Sequence, residues 1–345
     1  MKCSDKFYKI LANLGLLAAA AVLSLLFLEM ALWFIFPKPA HDEIRSFEYR
    51  HSWKLNSDGF RDDDFAVKNA KRPNRIIFLG DSFVTGMGVE RENSFAGKLS
   101  KLLEAEGFES FNLGKIGTGT IDQSAILIKH ISAINPAAVF LFFYWNDPQE
   151  NLSGSKTGSG EVVNPKGDQF FSFLYGFKPV LRKSLVYQMS SFYFRVLANR
   201  LGVAKLDSRF ELDFFKSPNE PPQVKKAWDL TEAELVKMKG ICAAHGAGFF
   251  IFYVPKREQL TGWDKLFKFY HANPGEYDRF SVNRRLNEIC RRLNVLFTDV
   301  SSQMDRLDRK EALYYKFDTH FTILGSRVYS DFLKPHVLEK LRRIS

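Results

Sequence analysis

A serine and a histidine with a neighbouring acid are the residues of this sequence that could together perform nucleophilic catalysis. Ser82 lies in Gly80-Asp81-Ser82-Phe83, directly after the short β-branched and aromatic run RIIFL at 75–79, and Asp318 precedes His320 by two positions. A carboxylate that bonds one imidazole nitrogen orients the ring and leaves the other nitrogen free to accept a serine proton. Each segment also has an ordinary interpretation when taken alone, as a structural turn and as a surface Asp-x-His.

Two further segments could stabilise negative charge on a reacting oxygen. Gly117 closes the stretch 112–117 after a short apolar run, and Asn146 follows the apolar run 138–144. A glycine lets a bound group approach an unobstructed backbone N–H, and an asparagine amide can donate a hydrogen bond to a developing oxyanion. Taken alone, the segment at 112–117 is better explained as a turn, and the segment at Asn146 is equally well explained as an Asn-Asp-Pro turn.

Strands alternate with helices in the part of the chain that carries these residues. The pattern predicts strands at 75–79, 110–113, 138–144, 248–254 and 295–300, and helices at 94–106, 121–134, 231–245, 283–293 and 324–341. Such alternation predicts a parallel sheet covered by helices on both faces. Since ligands of open α/β sheets bind at the carboxyl ends of the strands, Ser82 is expected at that edge.

The alternation is interrupted by residues 148–228, which we interpret as an insertion. The stretch NLSGSKTGSGEVVNPKGD is polar and rich in turn residues, and an aromatic-rich helical region is predicted at 171–201. We expect an N-terminal membrane anchor at 1–37, a juxtamembrane linker and lead-in at 38–74, and one α/β domain at 75–345 that contains the insertion.

The apolar run at residues 10–36 is long enough to cross a membrane, because a helix needs about 20 residues to span the hydrocarbon layer. A cleavable signal peptide is the alternative, with Ala18–Ala20 as the cleavage site. Cleavage would leave a strongly apolar mature N-terminus, which favours an uncleaved single-pass anchor. Glu29 is the one acid in the run and is expected near the membrane surface. The lysines before the run favour a cytoplasmic N-terminus with the main domain extracytoplasmic, or periplasmic in a bacterium.

The overall composition narrows the choice of partners and cofactors. The chain has a net charge of +10, an isoelectric point near 9.3 and 46% hydrophobic residues. This charge suits an anionic partner such as phospholipid headgroups or acidic glycans, but the basic residues are dispersed and form no nucleic-acid recognition motif. Three cysteines give neither a disulfide framework nor a metal-ligand spacing. Cys242 and Cys290 are expected to be buried free thiols, unless their helices touch and the two pair.

The order and context of the four segments resemble those of the SGNH hydrolases, which are named after Ser, Gly, Asn and His. The matching blocks are Gly80-Asp81-Ser82, Gly117, Asn146-Asp147 and Asp318 to His320, and NSDGFRDDDF, RIIFLGDSFVTGMGV and FYWNDPQEN resemble a bacterial, often membrane-anchored branch. The resemblance covers residues 75–340 apart from the insertion. It implies a three-layer, flavodoxin-like α/β fold with a central parallel sheet.

By the same resemblance, Ser82 is the nucleophile, His320 the base and Asp318 the acid that orients it. The backbone N–H groups of Ser82 and Gly117 and the side chain of Asn146 form the oxyanion hole. The family requires no metal and no cofactor.

This chain departs from the commonest family pattern in two places. Tyr144 stands where a glycine usually precedes the asparagine by two positions, so the approach to the oxyanion hole is expected to be bulkier. Only Thr319 separates Asp318 from His320, where two residues are commoner. Asp81 is expected to hold the turn before the nucleophile.

These residues predict a serine esterase that cleaves O-acyl esters of a lipid or glycan through an acyl-serine intermediate. Two alternatives share the fold. The acyl group could be transferred to an envelope polysaccharide, or the protein could be a non-catalytic binding module of the envelope. The sequence does not predict an oligomeric state.

Overall fold

The computed structural model describes residues 2–35, 43–45, 48–69, 74–152, 184, 186, 209–270, 272–316 and 318–343. The chain divides into two compact units. One consists of Met1–Pro39 and Asn164–Leu206, and the other of Ala40–Val163 and Asp207–Ser345.

The first unit contains the apolar helix α1, Lys2–Ile35. Within the described part of the chain, Ala12–Ala31 is the one stretch whose length and composition would allow it to cross a membrane, with a mean hydropathy of 2.2. Glu29 Oε2 accepts hydrogen bonds from Ser184 Oγ at 2.7 Å and from the backbone N–H of Val186 at 3.0 Å. The acid of the apolar run therefore has polar partners from the predicted insertion.

The second unit is built on a parallel five-stranded sheet. A separate antiparallel pair, β1 (Glu43–Arg45) and β2 (Arg50–Ser52), precedes it. The sheet strands are β3 (Arg75–Gly80), β4 (Glu109–Asn112), β5 (Ala138–Tyr144), β6 (Gly248–Val254) and β7 (Leu296–Asp299). Their spatial order is β4-β3-β5-β6-β7. This is the flavodoxin-like order, in which the chain reverses direction across the sheet between the first and third strands.

Helices connect and cover these strands. Before β6 they are α2 (Phe65–Asn69), α3 (Ser82–Thr85), α4 (Phe95–Ala105), α5 (Thr120–Ile134), α6 (Asp147–Leu152), α7 (Arg209–Asp213) and α8 (Pro222–Ala244). After β6 they are α9 (Arg257–Leu260), α10 (Trp263–Tyr270), α11 (Ser281–Arg292), α12 (Ser301–Asp305) and α13 (Ile323–Leu341). Short 3₁₀ turns lie at Arg91–Asn93, Pro274–Glu276 and Lys310–Leu313.

The central strands are apolar along their whole length because both of their faces are covered. Every residue of β5 is buried, and β3 is buried from Ile76 to Gly80. Continuous apolar strands are typical of parallel sheets with helices on both sides. Helix α8 packs against α5 and α6, and α13 packs against α4. The fold therefore agrees with the α/β architecture predicted from the sequence.

Helix α8 begins earlier than the sequence predicts. It was expected to start at Thr231, but it starts at Pro222, inside the predicted insertion. Proline is compatible with the first turn of a helix, where its missing N–H has no helical acceptor. Val224 and Trp228 are buried along the additional turns, which extends the core. The predicted loop at 151–168 and the predicted helical region at 171–201 lie outside the described residues, apart from isolated positions.

Cys242 and Cys290 are buried free thiols, as expected from the sequence. Burial raises the pKa of each thiol to about 12, so both stay protonated at neutral pH.

Candidate active site

Ser82 stands at the carboxyl end of β3, where a tight turn leads into α3. At Gly80 a β-carbon would lie 2.6 Å from Val84 Cγ2 and 2.8 Å from the carbonyl oxygen of Phe142, so the turn has no room for a side chain. Asp81 caps α3, because its Oδ1 accepts the backbone N–H of Phe83 at 2.9 Å. These two residues fix the direction in which the half-buried Ser82 side chain leaves the sheet.

His320 lies on a short loop before α13 and reaches Ser82. The loop is closed by a bridge between Tyr314 and Phe321, and the backbone N–H of Tyr315 donates to the carbonyl of His320 at 3.1 Å. His320 Nε2 lies 2.7 Å from Ser82 Oγ. The loop thus brings together two side chains that are 238 positions apart in the sequence.

Asp318 bonds the opposite side of the imidazole. Its Oδ1 lies 2.5 Å from His320 Nδ1 and also accepts the backbone N–H of His320 at 2.9 Å. An ionised carboxylate can only accept, so we assign the ring proton to Nδ1 and the lone pair facing Ser82 to Nε2. This is the tautomer that a general base needs in order to take the serine proton.

The pKa of Asp318 is lowered to about 2. Burial would raise this pKa, but hydrogen bonds from His320 and Tyr49 and the charge of His320 outweigh it. Asp318 therefore stays ionised at neutral pH. The pKa of Asp81 is shifted in the opposite direction, because full burial raises it to about 6. The hydrogen bond from Phe83 and the charge of His320 lower this pKa but do not outweigh burial. The two acids near Ser82 thus differ in how readily they ionise.

The glycine-containing loop after β4 lies against the nucleophile turn. Asn112 Nδ2 donates to the carbonyl of Val84 at 2.8 Å, and its Oδ1 accepts the N–H of Gly114 at 2.9 Å. A β-carbon on Gly114 would lie 2.6 Å from Thr85 N, and one on Gly119 would lie 2.5 Å from the carbonyl oxygen of Asp147. The loop 114–119 therefore runs from α3 to the start of α6.

Gly117 and Asn146 are both placed at this edge of the sheet. Gly117 adopts φ +67° within the loop just described, a conformation that favours glycine. Asn146 follows β5, whose Phe142 pairs with Gly80 of β3, so Asn146 and Ser82 leave adjacent strands at the same end. Asp147 fixes the Asn146 turn, since its Oδ2 accepts the N–H of Tyr144 at 3.2 Å. The oxyanion-hole roles of Ser82, Gly117 and Asn146 remain predictions.

Tyr144, two positions before Asn146, packs beside the residue that follows Ser82. Its ring centroid lies 4.5 Å from that of Phe83, and Phe83 lies 4.9 Å from the imidazole of His320. The residue is buried at 5% exposure. Tyr144 therefore packs against Phe83, the ring that contacts the imidazole of His320.

The sequence did not indicate two of the groups that hold the Asp318 loop. Tyr49 Oη donates to Asp318 Oδ2 at 2.6 Å, and Glu48 accepts backbone N–H groups of the same loop. Both residues belong to the segment that was interpreted as a juxtamembrane linker. No local pattern distinguishes them, because their partners are about 270 positions away in the chain.

The arrangement has the elements of nucleophilic catalysis: a hydroxyl bonded to an imidazole that is itself bonded to an ionised acid. Within the described ranges, no group of three or more His, Cys, Asp or Glu side chains could hold a metal ion.

No protein-family model and no curated protein matches the sequence. Solved structures similar to the chain include a lipase/acylhydrolase from Enterococcus faecalis, with 12% identity, 77% of this chain and 96% of that chain covered, and a TM-score of 0.42. The psychrotrophic esterase EstA from Pseudoalteromonas is 11% identical, with 78% and 99% covered and a TM-score of 0.43. A GDSL-like lipase from Bacteroides thetaiotaomicron is 14% identical, with 80% and 96% covered and a TM-score of 0.42.

Proposed function

We propose that the protein is a serine hydrolase of the SGNH type that cleaves O-acyl esters through an acyl-serine intermediate. The observation that carries the proposal is the continuous hydrogen-bond chain from Ser82 Oγ through His320 to Asp318, with distances of 2.7 and 2.5 Å. A serine hydroxyl is a weak nucleophile at neutral pH, so its proton must pass to a base as it attacks.

In the acylation step, Ser82 Oγ attacks the ester carbonyl carbon and its proton moves to His320 Nε2. The negative charge that develops on the carbonyl oxygen is stabilised by the N–H groups of Ser82 and Gly117 and the amide of Asn146. The alkoxide leaves with the proton from His320, and an acyl-serine remains. In the second step water attacks the acyl-serine, again with His320 as base, and releases the acid.

We further propose that α1 anchors the chain in a membrane, with its N-terminus in the cytoplasm and Ser82 on the extracytoplasmic side. The apolar stretch Ala12–Ala31 supports this anchor. An O-acylated lipid or glycan would then be the substrate. Protease treatment of intact spheroplasts should degrade the part of the chain after α1, and complete protection there would contradict this orientation.

The esterase proposal is tested with the full-length chain in detergent and a short p-nitrophenyl ester. Ser82→Ala should lower kcat/KM by about 10⁴-fold or more, because the nucleophile is lost. A fluorophosphonate probe should label wild-type protein at Ser82 and leave the variant unlabelled.

Ser110→Ala is the matched control. Ser110 lies on β4 near the end of the strand away from Ser82, and its hydroxyl bonds Ser100 Oγ. The activity and labelling of Ser110→Ala should therefore stay within twofold of wild type. Equal turnover in Ser82→Ala and wild type would refute the proposal, and so would labelling of a different serine.

A further inference from the structure

Residues 48 and 49 contact the loop that carries Asp318. Glu48 Oε1 accepts the backbone N–H of Lys316 at 2.6 Å, and its Oε2 accepts the backbone N–H of Asp318 at 2.7 Å. The hydroxyl of Tyr49 donates to Asp318 Oδ2 at 2.6 Å. One residue therefore holds the loop backbone and the other holds the acid itself.

The Tyr49 bond acts on the carboxylate oxygen that the histidine does not use. Asp318 Oδ1 is taken by two groups of His320, its backbone N–H at 2.9 Å and its Nδ1 at 2.5 Å. Rotation of the carboxylate about its Cβ–Cγ bond would move both oxygens together and draw Oδ1 away from these two donors. A donor at Oδ2 fixes its plane, and hence the direction in which Oδ1 meets the imidazole.

Tyr49 is itself held in place by neighbours in the same unit. Its ring centroid lies 4.9 Å from that of Tyr315 and 5.6 Å from that of His51. His51 is 2% exposed, and its Nε2 accepts the N–H of Gly88 at 3.1 Å. The Tyr315 hydroxyl donates to the carbonyl of the same Gly88 at 2.8 Å. Residues 49–51 are therefore fixed against the body that carries Ser82.

Arg257, in the helix α9 that follows β6, also bonds the backbone of the Asp318 loop. Arg257 Nη1 donates to the carbonyl oxygens of Tyr315 at 3.2 Å and Lys316 at 2.8 Å. Both backbone polar groups of Lys316 are thus bonded by charged side chains, the N–H by Glu48 and the carbonyl by Arg257. With the backbone held on both sides, the remaining freedom of the acid is its side-chain rotation, which Tyr49 restrains.

We infer that Tyr49 is a positioning residue for Asp318, assisted by Glu48, so that the segment directly after the apolar helix completes the candidate active site. This inference rests on the proposed function, and it extends the site beyond the predicted hydrolase domain at 75–345. In this role Tyr49 acts on the Asp318 carboxylate, through its hydrogen bond to Oδ2.

The test is Tyr49→Phe in the full-length chain, measured with a short p-nitrophenyl ester and by the rate of fluorophosphonate labelling. We expect kcat and the labelling rate to fall about tenfold, the lower end for a hydrogen bond to a charged group at a partly exposed site. The KM should change less than twofold, because the hydroxyl bonds the Asp318 carboxylate and so acts on the base and not on substrate binding.

A double-mutant cycle separates positioning from general support of the fold. In an Asp318→Ala background, Tyr49→Phe should cause no further loss, since the carboxylate on which it acts is gone. Tyr270→Phe is the matched control, because it removes another tyrosine hydroxyl that donates to a carboxylate, Glu211 Oε2 at 3.3 Å. The kcat of Tyr270→Phe should stay within twofold of wild type.

Two results would overturn the inference: Tyr49→Phe activity within twofold of wild type, or the same tenfold loss in the Asp318→Ala background. If wild-type protein neither hydrolyses the ester nor labels at Ser82, the proposed function has failed instead. The role of Tyr49 is then tested by proton NMR, through the far-downfield resonance of the proton shared by Asp318 and His320. This resonance is identified by its loss in His320→Ala. Tyr49→Phe should shift or broaden it, and an unchanged resonance would contradict the inference.

Discussion

Removing the charge of Asp318 while keeping its shape is the sharpest test of how the histidine is activated. Asp318→Asn retains an oxygen that can accept from His320, but its amide can also turn and donate to Nδ1. The ring proton would then move to Nε2, and Nε2 could no longer accept a proton from Ser82. Asp318→Ala removes the charge without offering this wrong donor.

The size of the charge effect follows from the pKa of Asp318. Burial alone would raise this pKa, but the bonds from His320 and Tyr49 and the charge of His320 lower it from 3.8 to about 2. The lowering corresponds to about 2 kcal/mol in favour of the ionised carboxylate, at about 1.4 kcal/mol for each tenfold change. By linkage we take this net shift as the order of magnitude by which the carboxylate stabilises the imidazolium, about 30-fold in rate.

We therefore expect kcat/KM to fall about 30-fold in Asp318→Ala. Asp318→Asn should fall further, towards the roughly 10⁴-fold loss that the wrong tautomer causes in the serine protease template. The assay is hydrolysis of p-nitrophenyl acetate by the full-length chain between pH 5.5 and 9, with thermal unfolding to confirm that each variant is folded.

The pH range matters for the interpretation. A lowered carboxylate pKa contributes stability that is present above about pH 3.8 and is lost as the pH falls through about 2. The Asp318 charge is therefore constant across the assay, so a change of activity with pH in this range does not report the titration of Asp318. Asp318→Asn activity within threefold of wild type would refute the reasoning on charge and tautomer. Higher activity in Asp318→Asn than in Asp318→Ala would refute the tautomer part alone.

Two further predictions concern the turn before Ser82 and the loop beside it. Gly114→Ala should lower the free energy of unfolding by about 1–3 kcal/mol and reduce kcat/KM, because its β-carbon would lie 2.6 Å from Thr85 N. The control Gly240→Ala, in open space within α8, should raise the free energy of unfolding by about 0.5–1 kcal/mol. Urea unfolding measures both variants, and a Gly114→Ala protein as stable as wild type would disprove the close approach. Burial raises the pKa of Asp81 to about 6, so its stabilising effect is complete below about pH 3.8 and lost as the pH rises through 6. Asp81→Asn should therefore gain melting temperature relative to wild type between pH 4.5 and pH 8, and a constant difference would argue against a buried ionised Asp81.

The strands were predictable because their signal is local. The runs at 76–79, 138–144 and 249–254 are apolar without interruption, and the structure has strands at the same places. Helix ends were less predictable, as the start of α8 at Pro222 demonstrates. Val224, Ala227 and Trp228 are buried in the core, where Trp228 stacks on Phe143 of β5, and the sequence does not encode this in a short pattern.

Some features of the candidate site were likewise predictable from local sequence, and others were not. The chemistry open to Ser82, Asp318 and His320 follows from their residue types and spacing, and the placement of Ser82 at the carboxyl edge of the sheet follows from the parallel topology. The sequence could not indicate Tyr49, because nothing near it in the chain reveals a partner 269 positions away.

The sequence by itself determined which groups could react, the strands that end beside them and the apolar helix that precedes them. Only the tertiary structure decided that His320 Nε2 lies 2.7 Å from Ser82 Oγ and that Tyr49 bonds the far oxygen of Asp318. The physical reason is that residue type and periodicity act over a few neighbouring positions. Contacts between distant segments depend instead on strand register, loop closure and the packing of the whole unit.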